Sequence, residues 1–256
     1  YRYPGNQTCA GDGLCATSCP MGINTGDLTH LLRQAELPSN STGYKAGKFA
    51  ANHFAGIKNA LRPVLSLANT THSLLGTSRM TSITRKMHNV WGLPQWTPAM
   101  PMSYKIHKKN NKAPDAKNKV VYFPSCINQT MGLAKNSPVE QPLVNKMLSL
   151  LQKAGYEVIF PPKMEKLCCG TIWESKGMLD IADSKSAELE AALWEASEQG
   201  RYPVLCDQSP CLHRMRATIQ KMKLYEPAEF IYTFLRDKLE FTPTDRPVAE
   251  HITCSM

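Results

Sequence analysis

The chain has 256 residues, enough for one large domain or two ordinary ones. With 42% hydrophobic and 20% charged residues it can bury a core, which excludes global disorder; no run of 18 uncharged apolar residues occurs, which excludes a transmembrane helix. A formal net charge of +9 and nine cysteines are the unusual features: too many thiols for an ordinary cytosolic chain, too few for a disulfide-dense mini-domain.

Residues 1–25 read as a Gly-, Pro- and Cys-rich loop without the apolar core of a signal peptide. A short helix is expected over 25–33, with Thr25 as its cap and Asp27 in the first turn, where a carboxylate suits the helix dipole. After a loop at 38–43, the spacing of Phe49, His53, Phe54, Ile57, Leu61, Val64 and Leu65 predicts a helix over 45–68, kinked or restarted at Pro63. A further short helix is expected over 79–90. Residues 92–101 hold three prolines and mark a boundary. Residues 105–119, nine of them Lys or Asn, read as a solvated linker; without interleaved aromatic residues they do not read as a nucleic-acid site.

A different rhythm follows. Strands are expected at 120–123, at 157–160 before Pro161-Pro162, and at 203–205. Helices are expected at 139–154 before Gly155, at 178–200, at 212–223 and at 227–239. Strands alternating with helices predict an α/β fold: a small, mainly parallel sheet flanked by helices. Cys126 and Cys206 follow strands, and Cys168-Cys169 sit in the loop beyond Pro161-Pro162. The loops after parallel strands open on one edge, where ligand sites gather, so thiols distant in sequence are expected to meet there. Adjacent cysteines serve one polynuclear centre only if the backbone turns sharply, which Gly170 permits. A single zinc ion more often takes ligands spaced two to four apart.

The N-terminal group runs Cys9-Ala10-Gly11-Asp12-Gly13-Leu14-Cys15-Ala16-Thr17-Ser18-Cys19-Pro20. It matches the bacterial ferredoxin run C-x2-C-x2-C-x3-C-P except that Asp12 stands at the second ligand position. Asp12 is either a hard oxygen ligand or a turn-former between glycines. By the two-cluster rule Cys19 serves a different cluster from Cys9 and Cys15. Disulfides, buried free thiols and a packing or capping His213 are the plainer alternatives. Trp173, just past the vicinal pair, either walls a cluster from water or packs an ordinary core.

Phe123-Pro124-Ser125-Cys126, Cys168-Cys169-Gly170 and Cys206 through Cys211 resemble one cysteine-rich CCG repeat. Such repeats occur in the cysteine-rich chain of heterodisulfide reductase and in the iron–sulfur subunits of glycolate oxidase and anaerobic glycerol-3-phosphate dehydrogenase. The last two thiols depart from the family's C-x2-C by standing farther apart. Ile252-Thr253-Cys254-Ser255 resembles the start of a second repeat, and Thr8 through Leu28 resembles the second ferredoxin half-motif of the fused FAD-linked D-lactate and D-2-hydroxyglutarate dehydrogenases.

The resemblance implies an α-helical, ferredoxin-like N-terminal segment and a CCG α/β domain. The divisions expected are 1–103, a linker at 104–119, the CCG domain at 120–246 and a truncated second repeat at 247–256. It implies a 4Fe-4S or 3Fe-4S iron–sulfur cluster on Cys9, Asp12, Cys15, Cys19, Cys126, Cys168, Cys169, Cys206 and Cys211. No catalytic residue is implied in this chain. FAD would lie in the same parent protein outside it, the chain being a piece that is inactive alone. Electrons would pass from FAD to a quinone or cytochrome acceptor, in the cytoplasm or peripherally at the inner membrane face. A heterodisulfide-reductase-like subunit and a non-catalytic zinc module are the alternatives.

Overall fold

Asn24 rather than Thr25 starts the first helix, because its side-chain oxygen accepts the N–H of Gly26. The computed structural model describes residues 5–6, 8–9, 11, 15–16, 19–93, 95–106, 118–243, 245 and 247. Helix α1 (Thr25–Glu36) carries Asp27 in its first turn and Arg33 in its last, both suited to the dipole. Ser41 caps α2 (Thr42–Asn52). Helix α3 (Phe54–Trp91) begins at a break centred on His53, ahead of the expected one at Pro63. Pro63 lies inside α3 with helical backbone on both sides. The buried Phe54, Lys58 and Leu65 flank it on one stripe, so packing carries the helix across a lost hydrogen bond. The non-helical residue inside α3 is Gly76, at φ 75° and ψ 168°, a region that side chains disfavour. The helix expected over 79–90 is the part of α3 beyond it.

The three-proline boundary contains a strand that periodicity over three residues does not reveal. β1 (Pro101–Ser103) pairs antiparallel with β3 (Met131–Ala134). Most of the expected linker, 107–117, lies outside the described residues.

The main sheet begins with β2 (Asn118–Phe123), followed by α4 (Cys126–Thr130) and β3. Then come α5 (Leu143–Lys153), β4 (Tyr156–Ile159), a 3-10 turn (Met164–Lys166), α6 (Thr171–Glu174), α7 (Leu179–Ala196) and β5 (Val204–Cys206). The chain continues through α8 (Ser209–Thr218), β6 (Leu224–Tyr225), α9 (Pro227–Phe230) and wider and tighter helical turns to Lys238. The sheet order is β4-β2-β5-β6, and every pairing is parallel. This is the expected α/β fold.

Val120, Val121, Tyr122 and Phe123 are all buried, because the sheet is covered on both faces. Alternation sends Val121 and Phe123 to one face with Leu189, Leu193, Leu212 and Met215. Val120 and Tyr122 go to the other, with Val144, Met147, Leu151 and Phe230. Ala51 and Phe54, from the N-terminal helices, join the first face beside Cys168, Cys169 and Trp173. The expected second repeat, Cys254 included, lies outside the described residues apart from position 247.

Candidate metal centre

The chain enters the sheet at β2, adds β4 on one side and then crosses to β5 on the other. That reversal opens a crevice beyond the C-terminal ends of β2 and β5, the place where doubly wound sheets bind ligands. Phe123 and Cys206 are paired at those two ends. Cys126 opens α4 just past β2, Cys206 is the last residue of β5 rather than following it, and Cys211 lies in the first turn of α8. Cys168 and Cys169 arrive from beyond β4. The thiols are in contact as a chain, Cys126 to Cys168 to Cys169 to Cys211. Cys206 lies beside them and is 1% exposed.

Gly170 makes the vicinal pair possible. Its φ is +93°, and a Cβ there would stand 2.4 Å from the carbonyl oxygen of Ala182. The Cys169 carbonyl accepts from Ser186 Oγ at 2.8 Å and from Arg214 Nε at 3.0 Å. Arg214, itself buried, is neutralised by Glu174 and by Asp183 at 2.7 Å. Asp207, between Cys206 and Cys211, accepts the N–H of Ser125 at 2.8 Å and the hydroxyl of Tyr122 at 2.7 Å, which fixes the approach to Cys126. Trp173 donates to the Gly47 carbonyl at 3.0 Å and meets Phe54 edge to face, closing the crevice under the N-terminal helices.

The electrostatics single out Cys169. Hydrogen bonds from Cys168 and then Cys211 hold its thiol down to about 3, against the penalty of burial. The donors shift the other way: hydrogen bonding to Cys126 and Cys169 pushes Cys168 up, and that to Cys169 pushes Cys211 up. Burial pushes Cys206 up, while the contact with Cys168 lowers Cys126. Lowered and raised thiols thus alternate along a mostly apolar crevice. Lys58 of α3 meets it, being 4% exposed and attracted first to Cys126 and then to Cys168.

The N-terminal loop also directs polar hydrogens at its sulfurs. Gly11 N–H lies 3.4 Å from Cys9 Sγ, and Thr25 donates to Cys15 Sγ from Oγ1 at 3.0 Å and from N at 3.1 Å. Those Thr25 bonds, the hydroxyl's first, lower the Cys15 thiol; backbone N–H groups of Ile23 and Met21 lower Cys19. Asp12 lies outside the described residues. His30 Nε2 is buried without a hydrogen-bond partner, directly over Gly11. Arg33 ties this loop to the crevice: Nη2 donates to the carbonyls of Asn6 at 2.6 Å and Cys9 at 2.7 Å, and Nη1 to that of Ser175 at 2.6 Å.

The eight described cysteines are all free thiols, not disulfides. His213 is exposed on α8 rather than packed in the core. Among the described residues no three His, Cys, Asp or Glu side chains are arranged to hold one metal ion. Converging soft donors, with N–H groups aimed at sulfur, fit an iron–sulfur cluster. Sequence reasoning found the cysteines from their spacing. It missed Lys58, His30, Arg33 and Arg214, which come from helices whose pattern carries no such signal.

No family model and no solved structure matches the chain. Over 242 residues it is 25% identical to the probable glycolate oxidase iron-sulfur subunit of Bacillus subtilis (strain 168), covering 84% of this chain and 51% of that protein. The chain spans about half the length of this curated relative, and its similarity is to an iron–sulfur subunit of an oxidase.

Proposed function

We propose that the chain is the iron–sulfur electron-transfer part of a flavin-linked oxidase or dehydrogenase of a 2-hydroxy acid, of the D-lactate or D-2-hydroxyglutarate kind. The observation that carries this reading is the convergence of Cys126, Cys168, Cys169, Cys206 and Cys211 at the switch point of the sheet. The similarity to an iron–sulfur subunit supports it. In this reading residues 120–246 form the CCG unit and hold one cluster. Cys9 and Cys15, with Asp12, contribute to another in the segment 1–103, and Cys19 to a different one. Residues 104–119 link the two, and 247–256 begin a further repeat.

A bound cluster supplies one-electron redox chemistry. The chain's own residues do the rest. The vicinal thiolates provide soft donors, Gly170 N–H, 3.5 Å from Cys168 Sγ, damps the charge on sulfur, and Trp173 and Phe54 keep water out. Arg33 and Gly177 hold the N-terminal loop against the crevice. A Cβ on Gly177 would stand 2.4 Å from the amide nitrogen of Gln34. The flavin partner oxidises the hydroxy acid, and a quinone or cytochrome receives the electrons. None of the helices among the described residues is long and apolar enough to cross a membrane. Reduced thiols suited to cluster assembly favour the cytoplasm or the inner membrane face.

Iron and acid-labile sulfide analysis of the anaerobically prepared full-length protein tests the reading. About four irons or more per chain are expected, with loss of the iron held at the crevice when Cys168 and Cys169 are both changed to Ser. Zinc in place of iron overturns it.

A further inference from the structure

We propose that the buried ammonium of Lys58 is the counter-charge of the thiol-held centre and raises its reduction potential; this rests on the iron–sulfur reading above. Lys58 reaches the crevice from α3, a helix outside the cysteine-bearing α/β layer, and is 4% exposed. Its Nζ donates to Gln129 Oε1 at 2.8 Å and stands 5.1 Å from the centre of the Phe54 ring. Gln129 is fixed in turn, since its Nε2 donates to the Pro124 carbonyl at 2.7 Å, two residues before Cys126. Arg62, one turn along α3, donates to the carbonyl oxygens of Gln129 at 3.0 Å and Tyr104 at 2.9 Å. The cation is thus held at a set place against the segment that presents Cys126.

A neutral amide orients an ammonium but does not neutralise it, and a lone ammonium is costly to bury. The negative groups that attract Lys58 are Cys126 and Cys168 first and Glu165 after them, with Arg62 opposing. A thiolate-ligated cluster adds negative charge at this spot and gains more on reduction. A fixed cation beside it therefore favours the reduced form over the oxidised one. Phe54 and Trp173 limit screening by water, so the effect survives salt.

The test is a redox titration of the iron-loaded, full-length protein in wild type, Lys58→Met, Lys58→Gln and Lys58→Arg, with iron counted in each. Both neutral variants should shift the oxidised-to-reduced ratio at a fixed potential at least tenfold towards oxidised, equivalent to 59 mV for one electron. Lys58→Arg should stay close to wild type. Lys58→Gln retains an amide for Gln129 and carries the test if the Met variant does not fold. Loss of iron from both neutral variants but not from Lys58→Arg also supports the counter-charge. Wild-type potential in the neutral variants, or iron loss in all three, overturns it. Absence of iron from wild type instead overturns the iron–sulfur reading on which the inference stands.

Discussion

At the scale of single residues the crevice depends on positions that admit little change. Gly170 combines a left-handed backbone with contact against the Ala182 carbonyl. Gly170→Ala is expected to cost about 3 kcal/mol, measured by denaturant unfolding of the metal-free protein, and to abolish iron uptake at the crevice. Lys58 has the opposite character: burial depresses it to about 8 from 10.5, against the attraction of Cys126 and Cys168. Between those values the unfolded metal-free chain binds more protons than the folded one, so stability rises with pH across that window. The gain is up to about 3 kcal/mol. It should appear as a change in the stability difference between wild type and Lys58→Met when about pH 7 and about pH 10.5 are compared. Using the difference cancels the titration of groups that Lys58 does not touch, and a constant difference refutes the assignment of that cost to Lys58. These two residues differ in how far sequence reveals them. Gly170 sits beside two cysteines and is legible as their turn. Lys58 lies in an amphipathic pattern where lysine reads as solvent-facing, and only the fold turns it inwards.

At the scale of elements, the strands were legible because both faces of the sheet are covered, leaving short apolar runs bounded by Pro and Gly. The breaks in the N-terminal helices were not. Proline advertises a kink at position 63, but buried neighbours on either side keep α3 continuous there, and the discontinuity falls on Gly76. β1 and β3 carry Pro, Gly and Ala in place of β-branched residues, β6 has two residues, and α4, five residues starting at Cys126, reads as loop. Arg33 of helix α1 spans three carbonyls, and Asn6 donates to Glu36 at the helix's end. Arg33→Ala leaves those acceptors without their cation. The expected result is faster hydrogen exchange and earlier protease cleavage in residues 1–36, with the β2 and β5 amides unchanged. Equal loosening of the sheet would show that α1 supports the whole core and not only the loop.

At the scale of the whole molecule, the two cysteine groups differ in what surrounds them. The crevice thiols are gathered by a sheet covered on both faces. Cys9, Cys15 and Cys19 are only partly buried, on a loop tied down through Arg33 and the caps of α1. Placement at strand ends pointed to the crevice thiols and spacing to the N-terminal ones, but neither revealed that Arg33 joins their segments, because position 175 is remote in sequence from Cys9. If the groups load separately, changing Cys9, Cys15 and Cys19 together to Ser removes the iron of the N-terminal centre and leaves that of the crevice, with unfolding of the sheet shifted by less than about 1 kcal/mol. Changing Cys126 and Cys206 to Ser should do the converse at the crevice but also weaken the core, since Cys206 is packed inside it. Iron counts on the two variants decide the matter. Independent, additive losses establish two centres, whereas complete loss in both shows that one cluster draws ligands from the two halves.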